Sequence, residues 1–216
     1  GTITAALATG DTAKEIAAGA NLGTATVNIA GTGTVTVAAG ATVGAANLHM
    51  VDAGAITGAA AELHQVQISD TDLNGTVTIT ALETTLNADL STIVAGTVTA
   101  EFDTSATFIG DLGSSSVIVA DATTMTLSAA RANAKTIGEA DATNATVAIT
   151  ELESSLDANL SNITTNTITA ALDSTGNVTI ADVANLGTAT VNIAGTGVVT
   201  VAAGATVGAA NLHMAD

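Results

Sequence analysis

The sequence predicts a parallel, right-handed β-solenoid with rungs of about 20–25 residues and short helices inserted on one side of some rungs. Three observations point there. Residues 20–50 return at 184–214 with a single difference, Thr34 against Val198. Short segments in which Thr alternates with Val or Ile recur at roughly 21-residue spacing, which is the signature of a stacked array. Ala, Val, Ile and Leu supply nearly all of the apolar content, beside two Phe and no Trp, Tyr, Pro or Cys. Small and branched side chains fill thin stacked layers, whereas a rounded core leans on aromatics.

The repeats are nested. The outer one extends back to Thr2-Ile-Thr-Ala-Ala-Leu7, which returns as Thr167-Ile-Thr-Ala-Ala-Leu172. An inner one, offset by 70 residues, matches 76–103 to 146–173 at fifteen of 28 positions. Residues 1–216 therefore read as a single continuous solenoid. It holds one period of about 164 residues (2–166) and the start of the next (167–216), with inner related halves at 76–145 and from 146 to 216 onwards. With no initiating Met and no leader, the chain reads as a mature or excised piece of a longer array.

Strands are expected at 76–80, 97–100, 116–119, 146–150, 167–170 and 188–193, where a period of two gives one wet and one packed face. A helix is expected after the first of these, because Leu82, Leu86, Leu90 and Ile93 fall at helical spacing. Leu152, Leu156, Leu160 and Ile163 repeat that spacing, and Thr80-Ala-Leu-Glu83 and Thr150-Glu-Leu-Glu153 read as capping boxes. Further helix candidates lie at 11–20, 59–66 and 128–137. With hairpin chemistry confined to Asn74-Gly75, successive strands are expected to lie parallel.

Three basic against twenty acidic residues, a formal charge of -17, argue against nucleic acid and anionic membranes as partners and favour cations. No apolar run reaches the roughly 18 residues of a membrane-spanning helix, so no membrane insertion is expected. The lack of Cys excludes a disulfide framework and a thiolate zinc site.

The stretch that most resembles a binding motif is Asp70-Thr-Asp-Leu-Asn-Gly75. Asp70, Asp72 and Asn74 stand at positions 1, 3 and 5 of a calcium loop, with Gly75 at the sharp turn. Position 12 is Ala81 instead of a bidentate Glu, and the counterpart Asp141-Ala-Thr-Asn144 has lost ligands, so the stretch reads either as a calcium site or as an Asx-rich turn. Ala/Gly/Thr-Asx-Leu triplets at Asn21, Asn47, Asp72, Asp89, Asp111 and Asn159, repeated at Asn185 and Asn211, resemble pentapeptide repeats. They lack the consecutive five-residue steps, and that reading is rejected. Thr-x-Thr pairs at Thr24, Thr34, Thr76, Thr97, Thr167 and Thr188 suit an ice-binding or adhesive face, or simply the outward side of strands. His49, His64 and His213 are isolated, and no nucleophile elbow, phosphate loop or dinucleotide fingerprint occurs, so no enzyme is expected.

The unit Thr-Val-Thr-Ile-Thr-Ala-Leu-Glu-x-x-Leu-x-Ala-Asp-Leu resembles repetitive regions of very large secreted bacterial surface proteins, including cyanobacterial haemolysin-like and S-layer-like proteins. Ile56-Thr-Gly-Ala-Ala-Ala-Glu-Leu-His64 is similar to segments of phage tail fibres. The first resemblance implies an extracellular, cell-surface location and a structural role in a layer, filament or stalk, with self-association end to end or side by side. The alternatives are an adhesin or ice-binding module and a tail-fibre segment.

Overall fold

The computed structural model describes every residue except 1–3, 9–12, 45, 141–143, 174, 208–210 and 215–216, with side chains described from residue 13 onward. The chain is a parallel β-solenoid that divides into two compact units, residues 1–102 with 110–117, and residues 103–109 with 118–216.

In the first unit one sheet runs in the order Thr4–Ala8, Thr26–Ala30, Asn47–Met50, Gln67–Asp70. A second stacks Lys14–Ile16, Thr34–Val37, Ala55–Ala59, Thr76–Thr80 and Thr97–Phe102. Each rung thus gives one strand to each sheet and closes through a corner. The rung length follows from the register, since Thr34, Ala55, Thr76 and Thr97 pair in sequence at 21-residue steps. In the second unit the main sheet is Ala106–Thr107, Thr124–Ser128, Thr146–Thr150, Thr167–Asp173, Thr190–Ala194, Asn211–Met214, and Val178–Ile180 pairs with Val199–Val201. The step lengthens to 25 at Ile68↔Ile93 and 26 at Ile137↔Ile163, the two rungs that carry an extra 3-10 turn.

Alternation decides which side chain goes where. In Thr76–Thr80, Val77 and Ile79 point inward and are buried while the three threonines face out. Parallel in-register stacking then sets like on like, so Ile56, Val77 and Val98 form one interior column. Each fully buried aliphatic side chain contributes about 1.5–3 kcal/mol, which holds together rungs too short to persist alone. The two phenylalanines, Phe102 and Phe108, are both fully buried.

The helices expected after Thr80 and Thr150 are not formed. A single 3-10 turn, Leu82–Thr84 or Leu152–Ser154, follows a left-handed residue, Ala81 (φ 52) or Glu151 (φ 57), and no side chain caps it. The helical spacing of the leucines has another cause. β-turns close at Ala88 N–H to Thr85 O and at Ile93 N–H to Leu90 O, and each turn returns an apolar side chain to the interior. Leu82, Leu90 and Ile93 are buried by these corners, so a period near 3.6 arises without a helix. Single-turn helices do form at Ala60–Leu63 and Ala129–Ala132, inside the candidate windows 59–66 and 128–137. Of the 11–20 window, residues 11–12 lie outside the described residues and Lys14–Ile16 is a strand with Ile16 inward. Gly58 is required where the first helix folds back, since a Cβ there would sit 3.0 Å from Val37 Cβ and 3.2 Å from Leu63 Cγ. Asn74-Gly75 makes no hairpin, because the strands on either side of it belong to different parallel sheets.

Candidate functional site

Asp70 closes the strand Gln67–Asp70 and lies in register on Met50, which turns its carboxylate toward the interior and leaves it 7% exposed. Oδ2 accepts the Gly75 N–H at 2.8 Å and the Gly96 N–H at 3.3 Å, so one oxygen ties the loop's exit to the next rung. Gly96 has to be glycine for this, since a Cβ there would collide with the Leu73 carbonyl. Oδ1 is buried with no hydrogen-bond partner. Asp72 and Asn74 are exposed, so the three expected calcium ligands occupy different environments, one in the interior and two in solvent. The other unit repeats the anchor, with Glu139 Oε2 accepting the Ala145 N–H at 3.3 Å. The ligand-poor counterpart 141–144 lies outside the described residues except for Asn144, which is exposed.

The Asx-Leu triplets mark a corner in each unit. In the first, Asn21 bridges Thr42 and Asp89 bridges Asp111; in the second, Asn159 bridges Asn185 and Asn185 bridges Thr206. At each of these corners Oδ1 accepts the N–H two residues on, at 3.0 Å for Asn21, 3.0 Å for Asp89, 2.8 Å for Asp111, 3.1 Å for Asn159 and 3.2 Å for Asn185. The side chain thereby satisfies a backbone donor that the turn leaves free. The Ser91 hydroxyl adds a 2.6 Å bond to Asp89 and the Ser161 hydroxyl a 2.7 Å bond to Asn159. The two bonds from Ser91, side chain first and amide second, hold the Asp89 carboxyl below its ordinary range, and attraction to His64 adds to them. Asn47 and Asn211 instead begin strands, and Asp72 lies in the 70–75 loop.

The histidines belong to the same framework. His64 follows the helix Ala60–Leu63, and its Nδ1 accepts the Asp89 N–H at 2.8 Å, which requires the lone pair on that nitrogen. Asn133, after the helix Ala129–Ala132, does the same for the Asn159 N–H at 2.9 Å. His49 lies between hydroxyls, with Ser69 Oγ 2.8 Å from Nδ1 and Thr71 Oγ1 3.2 Å from Nε2. Ser69 Oγ also reaches Asn47 Oδ1 at 3.4 Å. The second ring nitrogen faces a threonine, so no carboxylate orients the imidazole as a base for Ser69. Sequence reading treated His49 and His64 as isolated. Their partners are one rung away, some twenty residues along, and only the register reveals them.

An open groove of about 560 Å³ in the first unit is lined by Gly44, Ala46, Gln65, Gln67, Thr92 and Val94 and carries no titratable side chain. Among the described residues no three His, Asp or Glu side chains gather as a metal-binding group. No protein-family model, no curated protein and no solved structure matches the chain.

Proposed function

We propose that the chain is a non-enzymatic structural segment of an extracellular layer, filament or stalk, in which each sequence period adds identical rungs and copies associate through them. One observation supports this reading above the rest. Residues 20–50 and 184–214 build the same rung in two separate units: strands Thr26–Ala30 and Thr190–Ala194 have the same alternating burial, and Asn21 and Asn185 close the same turn. Gly31 and Gly195 also take the same left-handed φ of 94 and 96. A sequence that reproduces one surface at fixed intervals suits a spacer, whose task is length and regularity. The resemblance to secreted surface proteins and the charge of -17 support the extracellular placement. Sedimentation across a concentration series, with electron microscopy of the same samples, tests it. Ordered fibres or sheets are expected, and a monomer at every concentration overturns the proposal.

Calcium enters the proposal at Asp70, where the orphaned Oδ1 favours a cation with Asp72 and Asn74 closing from the solvent side. Chelation then lowers the melting temperature of the wild type and leaves Asp70→Asn unchanged; equal behaviour of the two proteins removes calcium from the account. A second reading, an ice-binding or adhesive face, is favoured by the outward column Thr36, Thr57, Thr78, Thr99, which stacks in register on four successive rungs. Ice crystals grown in the protein's presence would be faceted if that column binds them and unshaped if it does not.

A further inference from the structure

The duplicated stretch is built twice, and only one copy is covered. Asn47–Met50 carries Gln67–Asp70 on its far side, in register from Asn47↔Gln67 to Met50↔Asp70, and Leu48 and Met50 are 0% exposed beneath it. The copy, Asn211–Met214, ends its sheet, with Leu212 47% and Met214 67% exposed. The contrast runs across the whole rung. Val35, Val37 and Val43 are buried, whereas their copies Val199, Val201 and Val207 are half-exposed. The two platforms have one sequence apart from Thr34 and Val198, so what covers the first fits the second.

We propose that the edge Asn211–Met214 is a strand acceptor that takes, from another chain, a parallel strand of the kind formed by residues 67–71. This rests on the structural reading above and names the partner that reading requires. An open edge supplies a row of unpaired amides and carbonyls, and an added strand completes the ladder. The covered copy specifies the side chains. Ile68 packs over Leu48, so the incoming strand places Ile over Leu212. Ser69 and Thr71 occupy the two nitrogens of His49, and their equivalents meet His213, whose ring nitrogens have no partner among the described residues. The partner is therefore a strand reading polar-Ile-Ser-Asp-Thr, selected by one apolar contact and two hydroxyls, and a slip of one residue would set Ser over Leu212.

The test uses the full chain and a fluorescently labelled peptide of residues 51–75, read by anisotropy. Saturable binding is expected, together with suppression of any concentration-dependent assembly. A peptide with Ile68→Asp, or the full chain with Leu212→Asp, should lose binding. Removing both hydroxyls from the peptide (Ser69→Ala with Thr71→Val) should weaken binding by about fivefold or more for each bond lost. Circular dichroism of the Leu212→Asp protein, altered only at an exposed edge, separates lost binding from lost fold. A peptide that does not bind, binds no better than its scrambled sequence, or binds Leu212→Asp as well as wild type overturns the inference. Assembly without peptide binding sinks only the acceptor edge, and peptide binding by a chain that never assembles sinks only the structural role.

Discussion

Replacing Leu48 and Leu212 separately by Ala places one substitution in one local sequence under two degrees of cover. Leu48 has no solvent exposure, lying between the rungs of Thr26–Ala30 and Gln67–Asp70. Removing three carbons at about 0.8 kcal/mol each forfeits about 2.4 kcal/mol of burial. The residual cavity in a close-packed stack raises the cost of Leu48→Ala to about 3–4 kcal/mol. Leu212 is 47% exposed, with packing on one side only, so its burial loss is about half as large and it leaves no enclosed cavity, for a cost of about 1 kcal/mol. For a chain of this length the difference corresponds to roughly 4–10 °C in melting temperature. Urea midpoints of the two variants at low protein concentration measure it. Equal destabilisation would refute the reasoning, because it would mean that Asn211–Met214 is as fully covered in solution as Asn47–Met50. Repeating the measurement at high concentration should narrow the gap if copies cover the edge, since association stabilises by mass action.

The His64 clamp predicts that His64→Asn is close to neutral, because Asn133 already fills that role, whereas His64→Ala strands the Asp89 amide and costs about 1 kcal/mol; chemical denaturation distinguishes them. Gly96→Ala should destabilise the 70–75 loop, because its Cβ meets the Leu73 carbonyl backbone, and faster exchange of the Gly75 and Gly96 amides would report it. The Asp89 carboxyl is held below its unfolded value, so its contribution is present above the ordinary aspartate range and is lost as pH falls through the folded value. Asp89→Asn should therefore flatten the acid limb of the stability–pH curve, and an unchanged limb would count against the Ser91 bonds as the cause.

The rungs were legible because alternation and repetition both write themselves into the chain. Ser116–Val119 and Thr146–Thr150 form over the very residues expected, and the flanking rungs follow at the same step. The corners were not legible as corners. Two consecutive β-turns that bury Leu82, Ala88, Leu90 and Ile93 leave spacings of two to six residues, and the leucines among them mimic a helical face. Composition could have separated the cases, since Asn, Asp, Ser and Gly beside each Leu suit turns better than helix interiors. The Asp70 motif misled in the opposite direction. Side-chain alternation that looked like converging calcium ligands is the alternation of a strand end, which sends Asp70 inward as an anchor and leaves Asp72 and Asn74 in a turn.

What the repeats keep and what they change separates architecture from surface. Between 76–103 and 146–173 the buried positions Val77, Ile79, Leu82, Ala88, Leu90 and Ile93 return as the same residues at Val147, Ile149, Leu152, Ala158, Leu160 and Ile163. Changes fall mainly outward, as at Thr78 against Ala148 or Ala81 against Glu151, and the one difference between 20–50 and 184–214, Thr34 against Val198, is also on the outer face. A catalytic or ligand site copied this way would be expected to keep a polar outward cluster, since its chemistry needs particular groups at particular places. Here the shared polar groups are the ones that close the corners, such as the Oδ1 acceptors of Asp89 and Asn159 and the clamps His64 and Asn133. The repeated information is thus concentrated in what makes one rung fit the next, and the edge Asn211–Met214 presents that information to solvent.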